Sequence, residues 1–127
     1  MIARIDGAAE LAAWYGGFPR FHDGYVREFQ LRVDGSGHIR LRGWKMTDKV
    51  DERGYFIMEK RFQASLFFEG ATRAELSDFQ PGQAILYDLE IRQDGDDIAI
   101  VMQSSYGFDG VLRTKTLRIE FQPETEQ

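Results

Sequence analysis

The sequence contains no cysteine, only two histidines and only three prolines in 127 residues. Without cysteine there is no disulfide framework, no thiolate zinc site and no cysteine nucleophile. With two histidines, His22 and His38, a histidine-rich metal centre is excluded as well. No apolar run approaches the roughly 20 residues that a membrane helix needs. The opening stretch, Met1 to Asp6, lacks the basic region and long apolar core of a secretory signal. These absences lead to the expectation of a cytoplasmic protein with no membrane span and no bound cofactor.

Positive charge is scarce in the second half. Residues 1–61 carry 11 Lys/Arg against 9 Asp/Glu, and residues 62–127 carry 5 against 12. A surface that grips nucleic acid needs Lys and Arg to neutralise phosphates, so nucleic acid is not the expected partner. An acidic half suits a basic protein partner or plain solubility. The motifs of phosphate chemistry are missing too. Gly35-Ser36-Gly37 follows a strand but opens no helix, and no Gly-Lys-Ser/Thr loop occurs. Ser104-Ser105 has no nucleophile elbow around it.

What remains is abundant in the residues of a packed core: 43% apolar, with 10 Phe, 5 Tyr and 2 Trp. The length fits one domain. Residues 6–15 carry good helix formers, with Asp6 as the expected N-cap and Gly16-Gly17 as the stop. Leu11, Trp14 and Tyr15 share one face of this helix, spaced to pack on a sheet. From Tyr25 to Phe121 the apolar period falls to two, the signature of half-buried strands. Asp34-Gly35-Ser36-Gly37 and Asp94-Gly95 are hairpin turns. Residues 46–54 are polar and aperiodic, and read as a mobile loop. Residues 71–79 read either as one or two helical turns or as a loop, with Leu76 and Phe79 facing inward in both. A last strand begins near Val111, and residues 123–127 read as a frayed tail.

The expected fold class is therefore mainly β (α+β). It is a single domain over 1–127, an antiparallel meander of about six strands with a short N-terminal helix covering an open end or face. Short connections favour antiparallel neighbours. Periodicity leaves a curled sheet, a half-barrel and two packed sheets equally open, and oligomeric state is not legible.

Three constellations are candidates for function. The first is the acidic group Asp88, Glu90, Asp94, Asp96 and Asp97 on one hairpin. Asp94-Gly95-Asp96-Asp97 lacks the spacing and terminal Glu of a calcium loop, so no metal is expected there. It reads as a solvated turn or as an acidic contact surface. The second is the set of aromatics in or near connections: Trp44, Tyr55, Phe56, Tyr106 and Phe108. They read as core anchors or as interface anchors, of which Trp44, Tyr106 and Phe108 are the partner-binding candidates. The third is Phe21-His22-Asp23, where the imidazole and carboxylate either pin the helix–strand junction or supply a base for hydrolysis. His38, beside Arg40, reads as a plain surface residue.

The segment Trp14 to Val26, with Phe18-Pro19-Arg20-Phe21-His22-Asp23-Gly24-Tyr25-Val26, resembles the opening motif of small bacterial immunity proteins of polymorphic toxin systems. The run Phe62 to Gly70, followed by Leu76, Phe79 and Ile85, and Tyr106-Gly107 before the final strand, are similar in order and spacing. The resemblance implies a non-catalytic protein that binds and neutralises a cognate toxin, with no catalytic residues and a basic toxin domain as the partner. A small-ligand-binding β-barrel is the alternative, motivated by aromatics alternating along sequential strands. A hydrolase using His22 and Asp23 is the third reading.

Overall fold

The computed structural model describes residues 5–124. It contains one helix, α1 (Ala8–Tyr15), and eight strands: β1 (Tyr25–Leu31), β2 (Gly37–Val50), β3 (Phe56–Glu69), β4 (Arg73–Ser77), β5 (Ile85–Asp94), β6 (Asp97–Tyr106), β7 (Asp109–Thr114) and β8 (Thr116–Pro123). All strand pairings are antiparallel, in one open sheet ordered β4-β7-β6-β5-β1-β2-β3-β8. The expected mainly β class with a short N-terminal helix is what is found. The expected count of about six strands is corrected to eight, the order departs from the expected meander because β4 pairs with β7, β1 with β5 and β8 with β3, and of the arrangements left open the strands form one open sheet rather than two packed ones.

The helix begins one residue later than the sequence implies. Gly7, with φ of 87°, occupies the N-cap position, while Asp6 forms a bridge with Arg118 and accepts a bond from Ile119 N at 2.7 Å. A Cβ at Gly7 would lie 1.8 Å from the Ile119 carbonyl oxygen, so only glycine lets the chain pass this close to β8. Gly16 and Gly17 end the helix, both donating to the Ala12 carbonyl.

Two of the sequence readings fail at connections. Of residues 46–54, read as a loop, 46–50 belong to β2, which runs on to Val50, and only the stretch from Asp51 to Tyr55 connects it to β3 at Phe56. The turn between them is held by Asp51, whose carboxylate accepts bonds from Arg53 N and Tyr55 N at 2.9 and 3.0 Å. Residues 73–77 are not helical but form the edge strand β4, paired to β7 from Arg73↔Arg113 to Ser77↔Asp109. Leu76 and Phe79, expected inside, are largely exposed. The tail is also shorter than expected: Pro123 ends β8, Glu124 N donates to Arg61 O at 2.8 Å, and residues 125–127 of the predicted fray lie outside the described residues.

The last strand divides at Lys115, and that division shapes the molecule. β7 pairs with β6 and β8 with β3, yet one residue separates them. Alongside, β3 runs into β4 across 70–72. The two crossings are tied together by Lys115 N to Gly70 O, Thr72 N to Arg113 O, and the Thr114 hydroxyl to Glu69 O at 2.7 Å. The sheet therefore turns a sharp corner here. Its concave side is filled by Leu11, Phe21, Ile39, Leu41, Phe62, Leu66, Phe68, Leu86, Ile100, Met102 and Leu112, each with 2% exposure or less. Each large apolar side chain so buried contributes roughly 1.5–3 kcal/mol. The rings of Trp14, Tyr15 and Phe21 lie 5.5–5.7 Å from Phe62, which seats the helix over this core.

Candidate functional site

The Phe21-His22-Asp23 junction is docked along β5. Leu89 N donates to Arg20 O, Asp23 N to Leu86 O, and Leu86 N to Gly24 O. Phe21 and Asp23 take φ values of 58° and 63°, which turn the chain sharply enough to bury the Phe21 ring while His22 stays at the surface. A backbone carbonyl only accepts, so His22 Nδ1 carries its proton and donates to Tyr87 O at 2.8 Å. The imidazole meets the Tyr87 ring edge-on at 5.5 Å. His22 Nε2 stands 3.7 Å from Asp23 Oδ2, beyond hydrogen-bond range, and both side chains are about half exposed or more. The hydrolytic pair therefore lacks the bond that would orient a base. No group of three or more His, Asp or Glu among the described residues is arranged to hold a metal ion.

The acidic residues are spread along the β5–β6 hairpin, and cations of the same chain meet most of them. Asp88 receives two bonds from Arg20, at 2.8 and 2.5 Å. Glu90 lies 3.8 Å from Arg92, Asp94 pairs with Arg113 at 2.6 Å, and Asp97 with Lys115 at 2.6 Å. Asp96 adds its field to Lys115. The hydrogen bond from Arg20 holds the Asp88 carboxyl below the usual range, and that from Lys115 does the same for Asp97. This is an internal ion network more than an open acidic face.

The aromatic candidates separate. Phe108 is buried at 8% exposure and stacks on Phe79 with centroids 6.3 Å apart, so it is not offered to a partner. Trp44 is half-buried, edge-on to Tyr25 at 5.5 Å, and its indole N–H has no hydrogen-bond partner among the described residues. Tyr106, at the end of β6, is exposed. His38 is not a surface residue. It is almost fully buried on β2, hydrogen-bonded to Glu28 and edge-on to Phe67, and this bond keeps the Glu28 carboxyl below the usual range.

The largest feature escapes the sequence reading. β1 pairs with β2 only as far as Arg42, and β8 pairs with β3 only from Phe62 onward. Residues 45–59 therefore form a two-stranded arm projecting beyond the sheet. Met46 stands opposite Met58 and Val50 opposite Phe56. Facing residues share a side, and Phe56 and Met58 are two apart, so all four lie on one face of the arm. All four are exposed, Val50 and Phe56 at 56% each, and Tyr55 and Ile57 are exposed beside them. The signal in the sequence is the four-residue apolar run Tyr55-Phe56-Ile57-Met58 bordering a charged turn.

Several hollows lie at the surface of the described residues. One of about 880 Å³ runs over β4, β7 and β6 past Val101, Val111 and Tyr87. Two others, of about 420 and 290 Å³, lie between β1 and β4. No helix among the described residues is long and apolar enough to cross a membrane. Neither the protein-family models, nor the curated proteins, nor the solved structures contain a match to this chain.

Proposed function

We propose that this chain is a non-catalytic protein-binding module of the immunity kind, acting in the cytosol, which grips a partner protein with its β2–β3 arm. The observation that carries this reading is the solvent-facing apolar side of the arm: Met46, Val50, Phe56 and Met58. A two-stranded ribbon is marginal in water by itself, and an exposed apolar ribbon with two free edges is a natural docking element. The acidic hairpin contributes less than its charge count implies, because Arg20, Arg113 and Lys115 already occupy Asp88, Asp94 and Asp97. The likeness of Phe18 to Val26 to the opening of immunity proteins supports a toxin as the partner.

A photo-crosslinking amino acid at position 56, in the cell that encodes the chain, tests this. The expected result is a crosslink to a second polypeptide which, purified separately, binds the wild type at micromolar concentration and loses at least ~10-fold in affinity for Phe56→Asp. Crosslinks only to itself, or equal affinity for Phe56→Asp, overturn the proposal.

A further inference from the structure

The arm meets the sheet at an irregular joint. From Gly43 to Lys45 β2 advances by two residues, while the facing stretch of β3 runs from Phe62 to Glu59, so β3 carries one extra residue here. Lys60 lies in this bulge with φ of 53°, in the left-handed region that a lysine seldom adopts. A bulge bends the strand that carries it and raises its twist. Beyond it the arm has neither β1 nor β8 alongside, and a two-stranded ribbon without neighbours holds its own direction poorly.

The end of α1 braces this joint. The last carbonyls of a helix lack partners within it and carry a partial negative charge, and α1 has no basic residue in its own last turn. The base of the arm supplies two cations to this end. Lys45 Nζ donates to Tyr15 O at 3.3 Å and stands 5.5 Å from the centre of the Tyr15 ring. Lys60 Nζ stands 5.0 Å from the centre of the Trp14 ring. The Tyr15 hydroxyl in turn donates to Trp44 O at 3.0 Å. Glu59 faces Lys45 across the ribbon, yet the Lys45 ammonium goes to the helix. Trp14 and Tyr15 are themselves fixed against Phe62. One lysine sits on each strand of the ribbon. A single contact would leave the arm free to pivot about it, whereas two contacts on different strands oppose that rotation. We infer that Lys45 and Lys60 are positioning residues that clamp the arm at a fixed angle through Tyr15 and Trp14. A clamped arm loses less freedom when a partner docks on it. That benefit rests on the arm being the docking element, but the clamp itself is a property of the free chain.

The chain has no cysteine, so Glu52→Cys at the turn of the arm and Gln103→Cys on β6 take nitroxide labels at those two sites alone. Double electron–electron resonance on the free chain then reads the distance between arm and sheet. One narrow distribution is expected, becoming at least ~2-fold wider in Lys45→Met/Lys60→Asn. Methionine keeps the bulk of the Lys45 stem and asparagine tolerates the positive φ at position 60, so the bulge survives while both charges go. Lys45→Arg/Lys60→Arg keeps both cations over the rings and should keep the narrow distribution. Amide exchange at Leu41 and Ile100, in the middle of the sheet, should be the same in all three. The clamp is refuted by a wide distribution with both lysines present, by an equally narrow one without them, by an arginine pair as wide as the uncharged pair, or by widening that comes with lost protection at Leu41 and Ile100. Partner affinity enters none of these outcomes, so a failure of the docking proposal is read separately, by the crosslink at position 56.

Discussion

Arg20 and Asp88, 68 residues apart in sequence, form a two-bonded ion pair at 2.8 and 2.5 Å that clamps the junction before β1 onto β5. The hydrogen bond from Arg20 holds the Asp88 carboxyl below its usual range. A depressed carboxyl stabilises the fold above the ordinary Asp pKa of about 3.9, and that contribution is lost as pH falls through the lower folded value. The Arg20 side chain is 70% exposed, so solvent screening keeps the effect small. Urea titration of Asp88→Asn should show a small deficit at pH 7 that narrows as pH falls below the ordinary Asp range. A deficit that does not change with pH would separate the loss from ionisation.

Phe62 is the meeting point of helix and sheet, fully buried against Trp14, Tyr15 and Phe21. Phe62→Ala removes the seat of α1 and should cost about 3–5 kcal/mol, read by chemical denaturation. A loss below 1 kcal/mol would mean that the helix is held by other contacts.

At the corner of the sheet, the Thr114 hydroxyl, buried at 0% exposure, donates to Glu69 O. Thr114→Val keeps the shape and withdraws this donor, so a loss of about 1–3 kcal/mol is expected in the same assay. Thr116, whose hydroxyl lies 3.3 Å from the same oxygen, should matter less. If the two variants are equally stable, the corner is not fastened by Thr114.

Gly107 has φ of 115°, and a Cβ there would come within 2.5 Å of Ala84 Cα. Backbone strain alone costs about 1–3 kcal/mol, and the clash adds to it. A lowered melting temperature for Gly107→Ala, against no change for Gly54→Ala in stability after allowing for its own positive φ, would separate the clash from the strain. Gly54 has no neighbour within 4 Å of a Cβ.

The arm should behave in the opposite way. Phe56→Asp changes an exposed position and should move stability by no more than about 0.5 kcal/mol while removing partner binding. Equal loss of both would make the residue structural.

Much of the sheet is legible because its inward positions alternate: Ile39 and Leu41, the even positions from Phe62 to Phe68, Leu89 and Ile91, and Leu117 and Ile119 are all buried. The arm is hidden because its ladder slips between Met46 and Val50, which breaks the period that marks a strand. β4 is hidden because an edge strand exposed at every residue has no buried face to alternate against. The division at Lys115 leaves a trace. Buried positions fall on 110, 112 and 114, then on 117 and 119, and that change of phase marks the bend. Of the candidate site, the junction residues are where the sequence placed them in the chain. The ion pairs of the acids are not legible because the cations that meet them, Arg20, Arg113 and Lys115, lie far away in sequence.

Asp6 is bridged to Arg118, and its carbonyl receives Ile119 N. The entry to the helix is thus fixed against the last strand, while its aromatic face rests on Phe62. During synthesis, which proceeds from the N-terminus, α1 leaves the ribosome long before its seat exists. Nascent chains stopped short of residue 116 should leave the helix incompletely docked, and this fold should form only once β8 has been synthesised.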